Sequence, residues 1–241
     1  MSSKYRVIVT CEHAGNMVPV AFKYLFQQAD VELMSHRGWD PGALPIAKKL
    51  SSELHAPLFF QVVTRLLIEA NRSEDNPELF SEYSNGLKRS VKTYILEKYY
   101  HSYRDQVINW IKDEIKNYDI VHLSIHSFTP VLKGNKRTTD LGILIDERKQ
   151  NELDLASRWQ TSWSEQLPQY KVDINKPYGG ADDGFTTYLR KLFPKNYAGI
   201  EFEFNQKFMP MTNDHPILSV VINSLINTFN KDINQPVPLS A

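Results

Sequence analysis

The chain has 241 residues, 41% of them hydrophobic and 12% aromatic, which is apolar surface enough to offset chain entropy and to exclude a disordered polypeptide. With 28 Lys plus Arg set against 28 Asp plus Glu, no net field draws in nucleic acid or an anionic membrane, and the expected partner is a small molecule. One cysteine, no apolar signal core near Met1, and no apolar run close to the roughly 20 residues of a membrane helix lead us to expect one cytoplasmic domain spanning 1–241.

Short β-branched runs alternate with longer amphipathic ones, the pattern of an α/β fold. A first strand is predicted at 5–10, running out into Cys11-Glu12-His13-Ala14-Gly15-Asn16. His13 at this turn either caps the backbone or reaches a ligand, and Ala14 with Gly15 leaves room for one. Before the next helix, 43–55, stands Trp39-Asp40-Pro41-Gly42. Asp40 suits an N-cap with Pro41 at the first helical position, and the same fixed carboxylate suits a metal; the two roles can coexist.

A strand at 57–63 precedes a polar segment, 71–88, and then a helix at 91–116. The strand at 119–125 ends in His122-Leu123-Ser124-Ile125-His126, whose alternation puts His122, Ser124 and His126 on one face. His122 lies deep enough to read as a core histidine, whereas His126 sits at the tip. A second polar segment, 129–139, leads to a strand at 141–145, a helix at 152–166, a strand at 170–174 and a helix at 184–192. The strand at 198–204 then carries Glu201 and Glu203 on one face, either as buried acids with a task or as the wet side of an edge strand. A helix at 215–229 follows. Both polar segments fall after strands, where open α/β sheets place ligands.

Two histidines and a carboxylate from three separate elements make an open zinc site that keeps a position for water, and a glutamate from a fourth supplies a base for amide hydrolysis. A thiol mechanism at Cys11 lacks a base, because a histidine committed to a metal cannot serve as one. Phosphate chemistry has no Gly-rich loop to rest on.

Cys-Glu-His-Ala-Gly-Asn at 11–16, Trp-Asp-Pro-Gly-Ala at 39–43, Asn-Arg at 71–72, His-Ser at 126–127, Asn-Lys-Pro-Tyr at 175–178 and Glu-Phe-Asn-Gln at 203–206 together resemble the N-formylglutamate amidohydrolase family. That resemblance implies a three-layer α/β/α fold with a central mixed, mostly parallel sheet and one catalytic zinc, as in the wider group of carboxypeptidases, aspartoacylases and cell-wall amidases. It implies His13 and His126 as ligands and Asp40 as the acid between them, with Glu12 the alternative. Asn16 stands where carboxypeptidases place a ligating Glu; asparagine is a poor zinc ligand, and Asn16 is expected on the substrate side. Glu203 resembles the catalytic base and Glu201 is its reserve. Asn71 and Arg72 resemble a pair that grips a substrate carboxylate, with Arg65 and Arg137 weaker candidates for that task. Tyr178, with Gly179 and Gly180, sits in a turn that can close over the substrate. The activity implied is hydrolysis of an N-acyl, in particular N-formyl, acidic amino acid. A peptide or cell-wall amidase, or an inactive binding protein on the same scaffold, are the alternatives. Nothing in the sequence specifies an oligomeric state.

Overall fold

A computed structural model describes residues 5–231, residue 213 excepted. In chain order, β1 (Tyr5–Cys11), a 3-10 segment (Val20–Phe26), α1 (Asp30–Met34), α2 (Ala43–Glu53) and β2 (Leu58–Phe60) come first. The next helix is long: α3 (Arg89–Ile95) passes through a π-helical stretch, Leu96–His101, into α4 (Ser102–Glu114). Then follow β3 (Asp119–Phe128), the small hairpin of β4 (Val131–Leu132) and β5 (Asn135–Lys136), β6 (Leu141–Leu144) and α5 (Gln150–Gln166). β7 (Val172–Ile174), α6 (Phe185–Leu192), β8 (Tyr197–Asn205) and α7 (Pro216–Lys231) complete the described fold.

Six strands form one sheet in the order β2-β1-β3-β8-β6-β7. The first four run parallel, β6 runs antiparallel to β8, and β7 is parallel to β6, so the sheet is mixed and mostly parallel. The alternative of a solvent-facing edge strand for Glu201 and Glu203 is overturned, because β8 lies inside the sheet between β3 and β6.

Alternation along the strands separates two packed faces. Val9, Cys11, Leu123, Ile125, Phe202 and Phe204 join α2, α5 and α7 in the larger core, where Trp159 and Trp163 stack at 6.1 Å. Full burial of a side chain of this kind contributes roughly 1.5–3 kcal/mol. Ile8, Ile120 and Tyr197 point the other way, against Val107 and Ile111 of α4 and Phe185 and Leu189 of α6. The result is α/β/α. A third cluster under the loops packs Phe22 and Phe26 against Leu67, Ile68, Leu79 and Ile95. Among the described residues no helix is long and apolar enough to cross a membrane.

Element ends differ from the periodicity in explicable ways. The strand expected over 57–63 is regular only to Phe60; beyond it the Gln61 side chain accepts from Val63 N at 2.9 Å, while Gln61 and Val62 stay bonded to the irregular turn that follows β1. β3 and β8 run further than expected, to Phe128 and Asn205, because they pair with each other to those ends, with β6 flanking β8 up to Phe204. The segment 129–139, expected to be weakly structured, contains the β4–β5 hairpin.

Candidate metal centre and active site

β1, β3 and β8 are parallel, so their carboxyl ends lie together, and the polar residues of their α4/α6 face meet there. His13 follows β1. Asp40 is brought to it by a backbone hydrogen bond from Asp40 N to His13 O at 3.0 Å. The expectation of an N-cap at Asp40 is corrected: α2 starts at Ala43, with Gly42 as its cap at φ 84°, left-handed backbone that favours glycine. Asp40 therefore keeps its carboxylate for the site. Its Oδ2 lies 3.2 Å from His13 Nδ1 and 2.9 Å from His126 Nδ1, and the three side chains offer ligand atoms all within 4.8 Å of one another.

The outer nitrogen of each histidine faces a second carboxylate. His126 Nε2 lies 3.1 Å from Glu12 Oε2, and Glu12 in turn accepts from Ser124 Oγ at 2.6 Å and Tyr103 OH at 2.9 Å. His13 Nε2 hydrogen-bonds Glu69. Arg65 ties the arrangement together, donating to Glu69 Oε2 at 2.7 Å and to Asp40 Oδ1 at 3.3 Å. Burial alone raises the pKa of Asp40, Glu69 and Glu12, but their histidine and arginine partners prevail and hold all three below the usual carboxylate range. A carboxylate behind each imidazole fixes its orientation and leaves the inner nitrogen for an ion. Two nitrogens and one carboxylate oxygen, buried and convergent, are donors suited to zinc.

β8 contributes the next residues. Glu203 is the register partner of His126, and Glu201 that of Ser124. Thr186 donates its hydroxyl to Glu201 Oε1, whereas Glu203 Oε2 is buried without a hydrogen-bond partner. Burial, with Asp40 and Glu201 adding to it against the pull of His126, pushes the Glu203 carboxyl up to about 8. The cavity in front of these groups, about 140 Å³, is also walled by Asn71, Arg72, Tyr178 and the turn at 182–184. Asn71 accepts from Phe185 N at 2.7 Å and approaches His126 Nε2 at 3.4 Å. Arg72 donates one NH to the carbonyls of Asn71, at 3.3 Å, and Asp183, at 2.8 Å.

The segment that carries Asn71 and Arg72 is fixed from behind by Arg104. This buried guanidinium lies 4.1 Å over the ring of Phe185 and 4.6 Å over those of Tyr100 and Tyr188. It donates to Ala70 O at 3.2 Å and Arg72 O at 3.0 Å, and the Tyr100 hydroxyl adds a bond to Arg72 O at 2.8 Å. Tyr100 belongs to the π-helical stretch, a local device often found where a helix must aim a side chain at a site.

The structure thus brings together His13, Asp40, His126, Glu201, Glu203, Asn71, Arg72 and Tyr178. Four expectations are corrected. Asn16 is not on the substrate side: bonds from Ala14 N to Gln61 O and Met17 N to Val62 O carry the turn outward, and the Asn16 amide donates to Leu33 O. Glu12 is no alternative ligand, since it sits behind His126 with both oxygens engaged. Arg137 stays outside the cavity wall, 4.7 Å over the Tyr178 ring. Arg65 is not a carboxylate anchor but the bridge between Asp40 and Glu69. Sequence reasoning missed Glu69; its signal was an acid at the end of the apolar run Leu66-Leu67-Ile68, directly before Ala70-Asn71-Arg72. Tyr103 and Arg104, within an amphipathic helix, carried no signal at all.

Residues 5–209 match the model of the N-formylglutamate amidohydrolase family. The chain belongs to the N-formylglutamate amidohydrolase family. Its fold is similar to that of gene product Atu2144 from Agrobacterium tumefaciens, with 26% identity and a TM-score of 0.76 over 96% of this chain and 92% of that one. It is also similar to N-formylglutamate amidohydrolase from Ralstonia eutropha JMP134, with 12% identity and a TM-score of 0.66 over 96% of this chain and 95% of that one. No curated protein matches the chain. Every element of the cluster described above, from His13 through Glu203, lies within the span that matches the N-formylglutamate amidohydrolase family.

Proposed function

We propose that this protein is a zinc-dependent amidohydrolase that cleaves the N-acyl amide of an acidic amino acid such as N-formylglutamate. The observation that carries this reading is the pairing of Glu203, a buried carboxyl with an orphaned oxygen, with a three-donor cluster whose His126 is its register partner on the adjoining strand. His13 Nδ1, Asp40 Oδ2 and His126 Nδ1 would hold the ion. When bound, zinc supplies Lewis-acid polarisation of an amide carbonyl and makes water acidic enough to attack it near neutral pH.

The protein's own groups do the rest. Glu203 Oε2 has no partner to displace, so it is free to take a proton from the attacking water. The same carboxyl is the group that returns this proton to the departing amine nitrogen. The Arg72 guanidinium, with one NH on backbone carbonyls, has the rest of its fork for the substrate carboxylate. Tyr178, 42% exposed at the mouth, closes the wall opposite. The lone, buried Cys11 suits work in a reducing compartment, the cytoplasm.

The test is to purify the protein, measure bound metal, and assay N-formyl, N-acetyl and peptide amides with and without a chelator. Chelator-sensitive release of glutamate from an N-acylglutamate is the expected result. A protein that neither takes up zinc nor releases an amine from any of these amides refutes the reading.

A further inference from the structure

The catalytic cavity is one end of a longer trough. Beyond Asp40, Arg65 and Tyr178, which line both parts, it opens into a groove of about 600 Å³. A space of that size is in the range of sites that take up a whole small ligand. The cavity proper, about 140 Å³, ends at Arg72 and the 182–184 turn. The groove leaves in the other direction, towards α1 and the β4–β5 hairpin.

The two ends differ chemically. At the cavity end, Arg72 has donors to spare for an anion. In the groove the charges are already matched: Arg65 is held by Asp40 and Glu69, and Arg37 by Glu82. His36 is pushed below its ordinary value, first by burial and then by Arg65, which disfavours a further cation there. What is left to meet a ligand is an uncharged wall: the partly exposed side chains of Phe80 and Leu132, with Leu66 and Phe128 nearly buried, and Ser81, Ser127 and Thr129 beside them, while Glu78 at the rim is set against any anion. A formyl group, with only hydrogen beyond its carbonyl, reaches none of this wall.

We propose that the groove is the acyl subsite and that the preferred substrates are N-acyl acidic amino acids whose acyl part is uncharged, apolar and larger than formyl. An amide laid across the centre with its carboxylate on Arg72 directs its acyl chain past Asp40 and Tyr178 into the groove. This inference rests on the amidase reading for its orientation, and it adds the acyl group that reading leaves open. Desolvation of the chain against Phe80 and Leu132 is the driving force.

Two measurements separate this inference from the reading beneath it. Calorimetric titration of the metal-free protein with N-formyl-, N-acetyl- and N-phenylacetyl-L-glutamate reads the groove without chemistry. The phenylacetyl compound is expected to bind at least about tenfold tighter than the formyl one. Equal or weaker affinity overturns the inference, whatever is later seen in turnover. In the zinc-loaded protein, kcat/KM should rise from formyl to phenylacetyl. Phe80→Ala should shrink that ratio at least about threefold, and Leu132→Ala, on the hairpin, serves the same purpose if the first variant fails to fold. Cleavage confined to formyl and acetyl substrates refutes the acyl subsite and leaves the amidase reading standing. Tight binding of the phenylacetyl compound with no cleavage of any member refutes the amidase reading and leaves the groove assignment.

Discussion

Glu203 and His126 are register partners on adjacent parallel strands, so one backbone ladder sets the distance between the orphaned carboxyl and the imidazole that faces Asp40. Replacing Glu203 by Gln keeps the shape and removes the proton acceptor. We expect kcat to fall by about 10²–10⁴ with bound zinc unchanged. Turnover within threefold of the parent would move the role to Glu201, two residues back on the same face.

The metal cluster makes a graded prediction. His126→Ala leaves two protein donors and should abolish tight zinc uptake, because open sites use three. Within the metal cluster Glu12→Gln touches only the outer nitrogen of His126, and it should weaken zinc by about 10–100-fold rather than abolish it. Metal analysis after dialysis against graded chelator reads both. Equal loss in the two variants would mean that Glu12 ligates directly, against the geometry seen here.

Arg104 acts on substrate binding only through the Ala70 and Arg72 carbonyls it holds. Arg104→Met should raise KM about tenfold for substrates with a free carboxylate while kcat stays within about threefold, and Arg104→Lys should recover part of the loss. A parallel rise in KM for uncharged amides would mark a merely structural lesion.

His122 supplies a pH dependence away from the metal. It is buried between Thr10 Oγ1 and the Tyr197 hydroxyl, each at 2.7 Å, and burial lowers its value from 6.5 to about 4. The unfolded chain therefore binds this proton more tightly than the folded one. The contribution of His122 to stability is complete above pH 6.5 and is lost as the pH falls towards 4, by on the order of 3 kcal/mol. Urea unfolding at pH 7 and pH 4.5 should show a smaller acid loss in His122→Gln than in the parent. The same loss in both would remove His122 as a cause.

Much of this was readable in the sequence, for physical reasons that differ between residues. His126, Glu201 and Glu203 interrupt strands on a strict two-residue period, so alternation alone placed them on one face. His13 and Asp40 stand beside small residues and a proline that mark turns, and these turns lie at strand and helix ends. Asn16 was misread because period and turn signals do not say which way a loop leaves, and backbone bonds to Gln61 and Val62 decide that. Glu69 escaped, and Arg65 was read as a candidate carboxylate anchor, because their partners, His13 and Asp40, are distant in the chain and no local pattern encodes a long-range ion pair. The groove was invisible for the same reason, being assembled from four separate loops.

The face of β3 and β8 that carries the site breaks the sheet's apolar covering with His122, Ser124, His126, Glu201 and Glu203, all at 8% exposure or less. A buried carboxyl with one oxygen unmatched by any protein donor costs the native state stability, and is maintained for chemistry and not for folding. Evolution towards heat resistance would therefore press first on Glu203: an inert Met at this position should melt at a higher temperature than the active protein.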